Sequence, residues 1–165
     1  MSSESDLPVR GVVPLDQMAG EGADELDFFR DAAAAAEKYL RSFPWCRDIL
    51  ETYFGDGVGG IVQVFFFRIS PASPRVDAWL WVVVGDLPPA YFVIDQCRTP
   101  SETLEGYVQE MSKWVELAKV GRASSKVIPV DVAPTPENAK ELEKRLQFLH
   151  DFVLPRFRDA ETKRA

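Results

Sequence analysis

The segment IVQVFFFRISPASPRVDAWLWVVVGDLPPAYFVID, at residues 61–95, carries the strongest structural signal in the chain. Its three apolar runs predict strands at residues 61–69, 76–84 and 90–95. The two connections contain prolines and are too short for a parallel crossover, so they favour chain reversals. We therefore predict a three-stranded antiparallel meander. Because apolar side chains point to both of its faces, we expect both faces to be buried.

Helix signals lie on both sides of this meander. Before it, apolar residues at helical spacing and an acidic first turn predict a helix over residues 24–43. A short second helix is then expected, with Trp45, Ile49 and Tyr53 on one face. Glycine-rich residues 55–60 follow that helix and precede a strand, which is the reverse of the order in a phosphate-binding loop. We interpret them as a helix cap and a tight turn.

After the meander, Thr99 and Thr135 each precede a proline, a pattern typical of a capping residue and the first helical position. They predict two helices, the first ending before Gly121 and the second before Pro155. Residues 126–131, between these helices, are expected to form a short edge strand or an extended segment, since the proline within them cannot donate to a ladder.

The element order α-α-β-β-β-α-(β)-α predicts an α+β fold with a three- to four-stranded, mainly antiparallel sheet and about four helices. The length of 165 residues suits one ordinary domain. We place that domain at residues 22–158, after a flexible or extended arm of residues 1–21 and before a C-terminal tail of residues 159–165.

Charge is distributed unevenly along the chain. The net charge of −7 belongs to residues 1–60, which hold 12 acidic and 5 basic side chains, while the remainder is neutral. Without clustered lysine and arginine the chain is a poor candidate for binding nucleic acid. The acidic first turn of the first helix can instead contact a basic protein, which makes Asp24, Glu25 and Asp27 binding candidates. A solvated surface is the alternative.

The chain has no apolar run long enough to cross a bilayer, and its N-terminus lacks the pattern of a secretion signal. We therefore expect a cytoplasmic protein that does not bind membranes. Two cysteines and one histidine are too few for a typical structural zinc site, so we predict no metal, and we expect no cofactor.

Cys97 is the residue best placed for chemistry. It follows the third predicted strand and sits two residues before Thr99, where a helix N-terminus would lower the pKa of a thiol. With His150, the only histidine, and Asp95 it would form a nucleophilic arrangement if the fold brings the three together. An ordinary surface histidine is the alternative for His150, and Cys46 is interpreted as a packing residue.

Aromatic residues are concentrated in the predicted sheet. Trp79, Trp81 and Tyr91 are binding candidates, since tryptophan and tyrosine dominate the energetics of interfaces. Core packing is the alternative. An aromatic face left uncovered would need a partner protein or a second copy of the chain.

Three segments together resemble an uncharacterised family of small bacterial proteins known as conserved hypotheticals. They are FPWC at residues 43–46, WVVVGDLPPAY at residues 81–91, and the helix with Tyr107, Met111, Trp114 and Val115. The likeness covers most of residues 25–155, and it implies no activity and no site residues. In general type, a small acidic α+β domain is also similar to the immunity proteins that neutralise bacterial toxins.

These observations favour a non-enzymatic protein-interaction domain, immunity-like or regulatory, that binds another protein. One alternative is a homo-oligomer, such as a homodimer, that pairs through its aromatic sheet face. The other is a small-molecule-binding protein or an enzyme with an aromatic pocket and Cys97 as its reactive group.

Overall fold

The computed structural model describes residues 7–164, and the chain divides into two compact units. The first unit reaches Thr103 and contains the sheet and one long helix, and the second begins at Leu104 and is helical. The class is therefore α+β, as the sequence predicts. The single domain placed at residues 22–158 stays a prediction.

The sheet has five strands in the order of the sequence, and each neighbouring pair is antiparallel. They are β1 (Val13–Pro14), β2 (Cys46–Val58), β3 (Val62–Pro71), β4 (Trp79–Gly85) and β5 (Ala90–Val93). The predicted meander is confirmed as β3, β4 and β5. The predicted number of three to four strands is wrong, because β1 and β2 extend the meander on the β3 side.

The short helix predicted around Trp45, Ile49 and Tyr53 is also wrong, since these residues lie at or within β2. This strand pairs with β3 along its whole length and has three register shifts, between Cys46 and Asp48, Ile49 and Glu51, and Phe54 and Asp56. Each bulge adds a residue and interrupts the strict alternation of a strand. The apolar spacing of four residues that resembles a helix is produced by a bulged strand.

The glycine-rich residues 55–60 consequently have a different role from the predicted helix cap. Gly55 and Gly57 lie inside β2, and a Cβ on Gly55 would come within 2.9 Å of the Val64 carbonyl oxygen. The predicted tight turn is present, because Ile61 N donates to Val58 O at 3.0 Å and Gly60 has a φ of 78°. That positive φ is the conformation that glycine adopts without strain.

Helix α1 (Ala23–Arg41) packs on one face of the sheet, and it confirms the predicted first helix to within two residues at each end. Its buried side chains, including Phe29, Ala36 and Leu40, join a core with Phe65 and Val82. Residues that point to the opposite face are buried as well, as expected. They include Val64, Phe66, Trp81 and Val83.

Helix α2 (Pro100–Ala118) begins with the predicted cap, since Thr99 Oγ1 accepts a hydrogen bond from Glu102 N at 3.2 Å. Helix α3 (Pro136–Phe148) begins in the same way, with Thr135 Oγ1 accepting from Asn138 N at 3.2 Å. Between them, residues 126–131 contain no strand. The backbone turns there, with Lys126 N donating to Ser124 Oγ at 3.1 Å.

The last helix does not end before Pro155, contrary to the prediction. A π-helical turn, Leu149–Val153, connects α3 directly to α4 (Leu154–Arg164), and Leu154 N donates to Leu149 O five residues back. The wider turn lets the helix continue into a proline that has no N–H to donate. Residues 136–164 thus form one helical body, and the described chain has three helical bodies instead of about four.

The N-terminal stretch from Leu7 to Glu21 is hydrogen-bonded to other parts of the first unit. Arg98 Nη1 donates to Pro8 O and Arg10 N donates to Arg98 O, both at 2.9 Å, and β1 pairs with β2. Three of its side chains are buried, namely Val9, Val12 and Met18. Residues 1–6 of the predicted arm lie outside the described residues.

Candidate functional site

A cleft of about 410 Å³ lies between α1 and the turn that joins β4 to β5, and we call it the α1 cleft. One wall is formed by side chains of the helix, and the other by the end of β4 and the turn after it. The apolar lining consists of Phe28, Ala32, Ala35, Tyr39, Val84, Leu87 and Pro89. The volume is typical of a site that takes a small ligand or a few side chains of a partner.

The sequence of α1 explains why this space is open. Ala32 and Ala35 present only methyl groups to the cleft, whereas Phe28, one turn earlier, has an aromatic ring that is 52% exposed. On the opposite wall Gly85 has a φ of 149°, and a Cβ there would overlap the Ile61 carbonyl oxygen. These small residues leave space between the two walls of the cleft. Phe28 lies at its edge.

The charged residues that line the α1 cleft are acidic, and the neutral Gln63 joins them among its polar side chains. Asp31 from α1 and Asp86 from the β4–β5 turn contribute carboxylates, and among the described lining residues there is no lysine or arginine. The stretch leading into the cleft, residues 21–31, holds five acidic side chains and one basic side chain, a net charge of −4. Low-dielectric walls lined by one sign of charge concentrate the field and favour ligands of opposite charge.

An aromatic cluster continues from the cleft along the same side of the first unit. Tyr39, which lines the cleft, packs edge to face on Phe43 with ring centroids 5.1 Å apart. Phe43 stacks on Trp45 at 4.7 Å, and Tyr91 packs edge to face on both, at 5.4 Å and 5.1 Å. We call these four residues the aromatic cluster. They prolong the apolar surface of the cleft.

Burial raises the pKa of the Tyr39 phenol to about 12, and the proximity of Tyr91 adds to this increase. The phenol therefore remains protonated at neutral pH. It can offer a hydrogen bond to a ligand in the cleft, but it is not suited to act as a base there.

The predicted acidic binding residues lie next to the cleft but do not line it. Glu25 is engaged in the fold, since its two carboxylate oxygens accept from Glu21 N at 3.1 Å and Gly59 N at 3.2 Å. Asp27 forms an exposed ion pair with Arg30 at 3.8 Å. Asp24 is exposed in the first turn of α1.

Sequence reasoning missed Asp31, which is the α1 carboxylate that lines the cleft. Asp31 lies three residues after Phe28 and four before Ala35, and all three line the same cleft. That spacing placed them on one helix face and was readable from the sequence. No signal in the sequence showed that the β4–β5 turn would face this surface.

The three predicted aromatic candidates have different environments. Trp81 is fully buried, and its indole N–H donates to Cys97 O at 2.9 Å. Trp79 is half-buried and stacks on Phe66 with ring centroids 5.2 Å apart, while the Arg68 guanidinium lies 5.8 Å from its ring. Tyr91 is 38% exposed and belongs to the aromatic cluster.

The three predicted catalytic residues have separate hydrogen-bond partners. Among the hydrogen bonds found in residues 7–164, none connects any two of Cys97, His150 and Asp95. Cys97 is buried in the first unit, with Sγ 3.8 Å from Glu102 O. His150 is exposed in the second unit, with Nδ1 3.1 Å from Asp151 Oδ1, and Asp95 is exposed after β5.

Burial raises the pKa of the Cys97 thiol, and this effect outweighs the opposing hydrogen bond with Thr103. The direction is opposite to the lowering expected at a helix N-terminus. Cys46 is buried too, and desolvation also raises the pKa of its thiol. Both thiols therefore have reduced thiolate character at neutral pH.

Within residues 7–164, no group of three or more histidine, cysteine, aspartate or glutamate side chains is arranged to hold a metal ion. Among the helices of this same stretch, none combines the length and the apolar character that a membrane span requires.

Comparisons of the chain with models of protein families, with curated proteins and with solved structures find no match. The resemblance to small bacterial hypothetical proteins therefore stays a prediction.

Proposed function

We propose that this chain is a non-enzymatic protein-interaction domain of the bacterial cytosol, immunity-like or regulatory, and that its binding site is the α1 cleft. The partner is a segment of another protein that presents apolar side chains flanked by lysine or arginine. The observation that carries this proposal is the exposed Phe28 ring at the edge of an apolar cleft that is lined by Asp31 and Asp86.

The apolar surface supports a contact with another protein. A large aromatic ring that is half exposed beside a cleft buries further apolar area when a partner covers it, at about 25 cal/mol per Å². The aromatic cluster extends this surface with Tyr91 and Trp45. Aromatic side chains grouped around a recess are the residue type that provides most of the energy of protein interfaces.

Charge supports the choice of partner. The two aspartates of the cleft and the net charge of −4 over residues 21–31 attract a basic segment. They also disfavour an acidic one, because like charges brought together at an interface cost free energy.

The volume of the cleft favours a second candidate function, the binding of a small molecule. A space of about 410 Å³ lies within the range of ligand pockets, and its carboxylates would select a cationic aromatic compound. The enzyme version of that alternative is less well supported, because the Cys97 thiol is buried with a raised pKa and is not among the described residues that line the cleft.

The proposal is tested with a labelled, helix-forming peptide that carries leucine and phenylalanine on one face and lysine on the other, titrated with protein by fluorescence anisotropy. Ala35→Trp fills the cleft from an exposed helical position and should abolish binding. Asp31→Lys should weaken binding about tenfold, since it reverses a charge in the site.

The matched control is Asp77→Lys, which makes the same charge reversal at an exposed residue of the first unit outside the α1 cleft. It should leave affinity within about twofold of wild type, because it changes only the distant, screened field. Equal weakening by Asp31→Lys and Asp77→Lys, or unchanged binding to Ala35→Trp, would contradict the proposed site.

A further inference from the structure

A buried glutamine contributes to the wall of the α1 cleft. Gln63 is 3% exposed and lies on β3, paired with Gly57 of β2 and Val84 of β4. It shares its face of the sheet with Phe65 and Phe67, which are fully buried in the core that α1 covers. Gln63 is therefore a polar side chain at the end of an apolar row, where that row reaches the cleft.

The amide of Gln63 has its nitrogen engaged and its oxygen available. Gln63 Nε2 donates to Val58 O, at the end of β2, at 3.2 Å. Because a carbonyl oxygen only accepts, this bond fixes which side of the amide carries the oxygen. Within residues 7–164, Gln63 Oε1 accepts no hydrogen bond, and its surface is not fully enclosed by protein atoms. Amide oxygens in buried side chains normally have a partner, so this oxygen indicates a place for a donor from a ligand in the cleft.

Carboxylates accompany this oxygen in the cleft. Asp31 of α1 and Asp86 of the β4–β5 turn line the same space. Asp31 is exposed and forms no ion pair within residues 7–164, since the neighbouring Arg30 pairs with Asp27 instead, at 3.8 Å. Acceptors therefore reach the cleft from a helix, a strand and a turn, and no lysine or arginine among the described lining residues neutralises them.

We propose that an arginine side chain of the partner protein enters the α1 cleft as its anchor, with the guanidinium donating to Gln63 Oε1 and to the Asp31 carboxylate. Gln63 is then the residue that makes the site select arginine over lysine. This inference rests on the proposed function, because it names the partner residue that enters the same cleft.

The chemistry of the cleft favours arginine over lysine. A guanidinium presents several N–H donors in one plane, so it can serve an amide oxygen and a carboxylate together, whereas an ammonium is a compact point charge. A guanidinium is also more weakly hydrated, which lowers the cost of bringing it between apolar walls. Its plane can stack on the Phe28 ring at the edge of the cleft.

Size is compatible with this anchor. A cavity of roughly 150 Å³ is enough to bind benzene, and the α1 cleft has about 410 Å³. The side chain of arginine has only one more heavy atom than benzene. It can therefore enter the cleft together with part of an apolar neighbour from the same partner segment.

The test uses two versions of the labelled amphipathic peptide, with arginine or lysine at one central position of its apolar face. By fluorescence anisotropy, wild type should bind the arginine version about tenfold more tightly than the lysine version. Gln63→Met keeps an unbranched side chain but removes the amide oxygen, so this ratio should fall to within about twofold. Because both peptides are titrated with the same protein, the ratio does not depend on the fraction that is folded.

Two further variants separate recognition from structure. Gln63→Glu also loses the bond to Val58 O, but it keeps an acceptor in the cleft, so it should keep at least the preference of wild type for arginine. Gln96→Met makes the same change as Gln63→Met at an exposed residue of the first unit outside the cleft, and it should leave the ratio unchanged.

Equal binding of the two peptides by wild type, or a ratio that Gln63→Met leaves unchanged, would overturn the inference. Loss of the preference in both Gln63→Met and Gln63→Glu would overturn it too, because Gln63 would then act only through the bond to Val58 O. If the two peptides bind equally but Ala35→Trp still abolishes binding, only the arginine anchor fails. If neither peptide binds wild type, the proposed function fails as well.

Discussion

Trp79 and Trp81 lie two positions apart on β4, but their side chains differ in burial and in hydrogen bonding. Trp81 is buried and donates from its indole to the Cys97 carbonyl at 2.9 Å, whereas Trp79 is half-buried and stacks on Phe66. The sequence treats both as binding candidates. Only the strand register and the position of the loop after β5 distinguish a structural indole from a surface one.

Trp81→Phe should lower the free energy of unfolding by about 2 kcal/mol, because it leaves the buried Cys97 carbonyl without its donor. Trp79→Phe is the matched control, since phenylalanine can keep the stacking on Phe66, and it should cost less than about 1 kcal/mol. Urea unfolding followed by circular dichroism measures both. Equal costs would mean that the Trp81 hydrogen bond contributes nothing.

Tyr39 makes stability depend on pH in the alkaline range. Its pKa rises from 10.0 to about 12 on folding, so above pH 10 the unfolded chain releases a proton that the folded chain retains. The contribution of Tyr39 to the free energy of unfolding is fully present below pH 10, and it decreases as the pH rises towards 12. Tyr39→Phe should remove that part of the decrease.

The measurement compares urea unfolding of wild type and Tyr39→Phe below pH 10 and at a pH of about 11. Between the lower and the higher pH, the free energy of unfolding should fall less for the variant than for wild type. An identical loss of stability in both proteins would show that the folded protein does not hold this phenol in its neutral form.

At the scale of elements, the sequence correctly predicts the helices whose first turn is marked by neighbouring residues. The caps at Thr99 and Thr135 mark α2 and α3 correctly, because a side chain and a proline next to each other fix the first turn. It fails at β2 and at Pro155. The bulges of β2, which belong to its pairing with β3, imitate helical spacing. The π-helical turn lets the helix continue into a proline by a change of hydrogen-bond pattern that residue spacing does not reveal.

Thr135→Ala should destabilise the protein by about 1 kcal/mol, because Asn138 N at the start of α3 loses its acceptor. Thr162→Ala is the control. Thr162 bonds the Arg158 carbonyl within α4, where a hydroxyl is not needed for the helix, and its replacement should change stability by less than about 0.5 kcal/mol. The midpoint of urea unfolding distinguishes them, and equal midpoints would argue against the cap.

At the scale of the whole molecule, the acidic character of the N-terminal third is readable from the sequence, but the cleft that Asp31 and Asp86 line is not. Asp31 and Asp86 are separated by 55 positions, and they line one cleft because α1 packs on the sheet beside the β4–β5 turn. A single sequence does not contain that juxtaposition. The sequence predicts a basic partner from neighbouring residues that do not line the cleft, and that partner stays a prediction.

Binding in this cleft should depend on salt. Raising ionic strength from about 0.05 M to about 0.5 M shortens the Debye length to well under 10 Å, and it should weaken binding of the lysine-rich peptide several-fold. The apolar contacts with Phe28 and the aromatic cluster should persist, so binding should not vanish. An affinity that is unchanged over this range of salt would show that the aspartates of the cleft do not take part.

The most direct test of the α1 cleft as an interaction site is to titrate isotopically labelled protein with the lysine-rich amphipathic peptide and to follow backbone amide signals by NMR. We expect the largest shifts on α1 from Phe28 to Tyr39 and on the β4–β5 turn from Val84 to Pro89. Shifts confined to other surfaces, or no shifts at a peptide concentration of about 1 mM, would contradict this expectation.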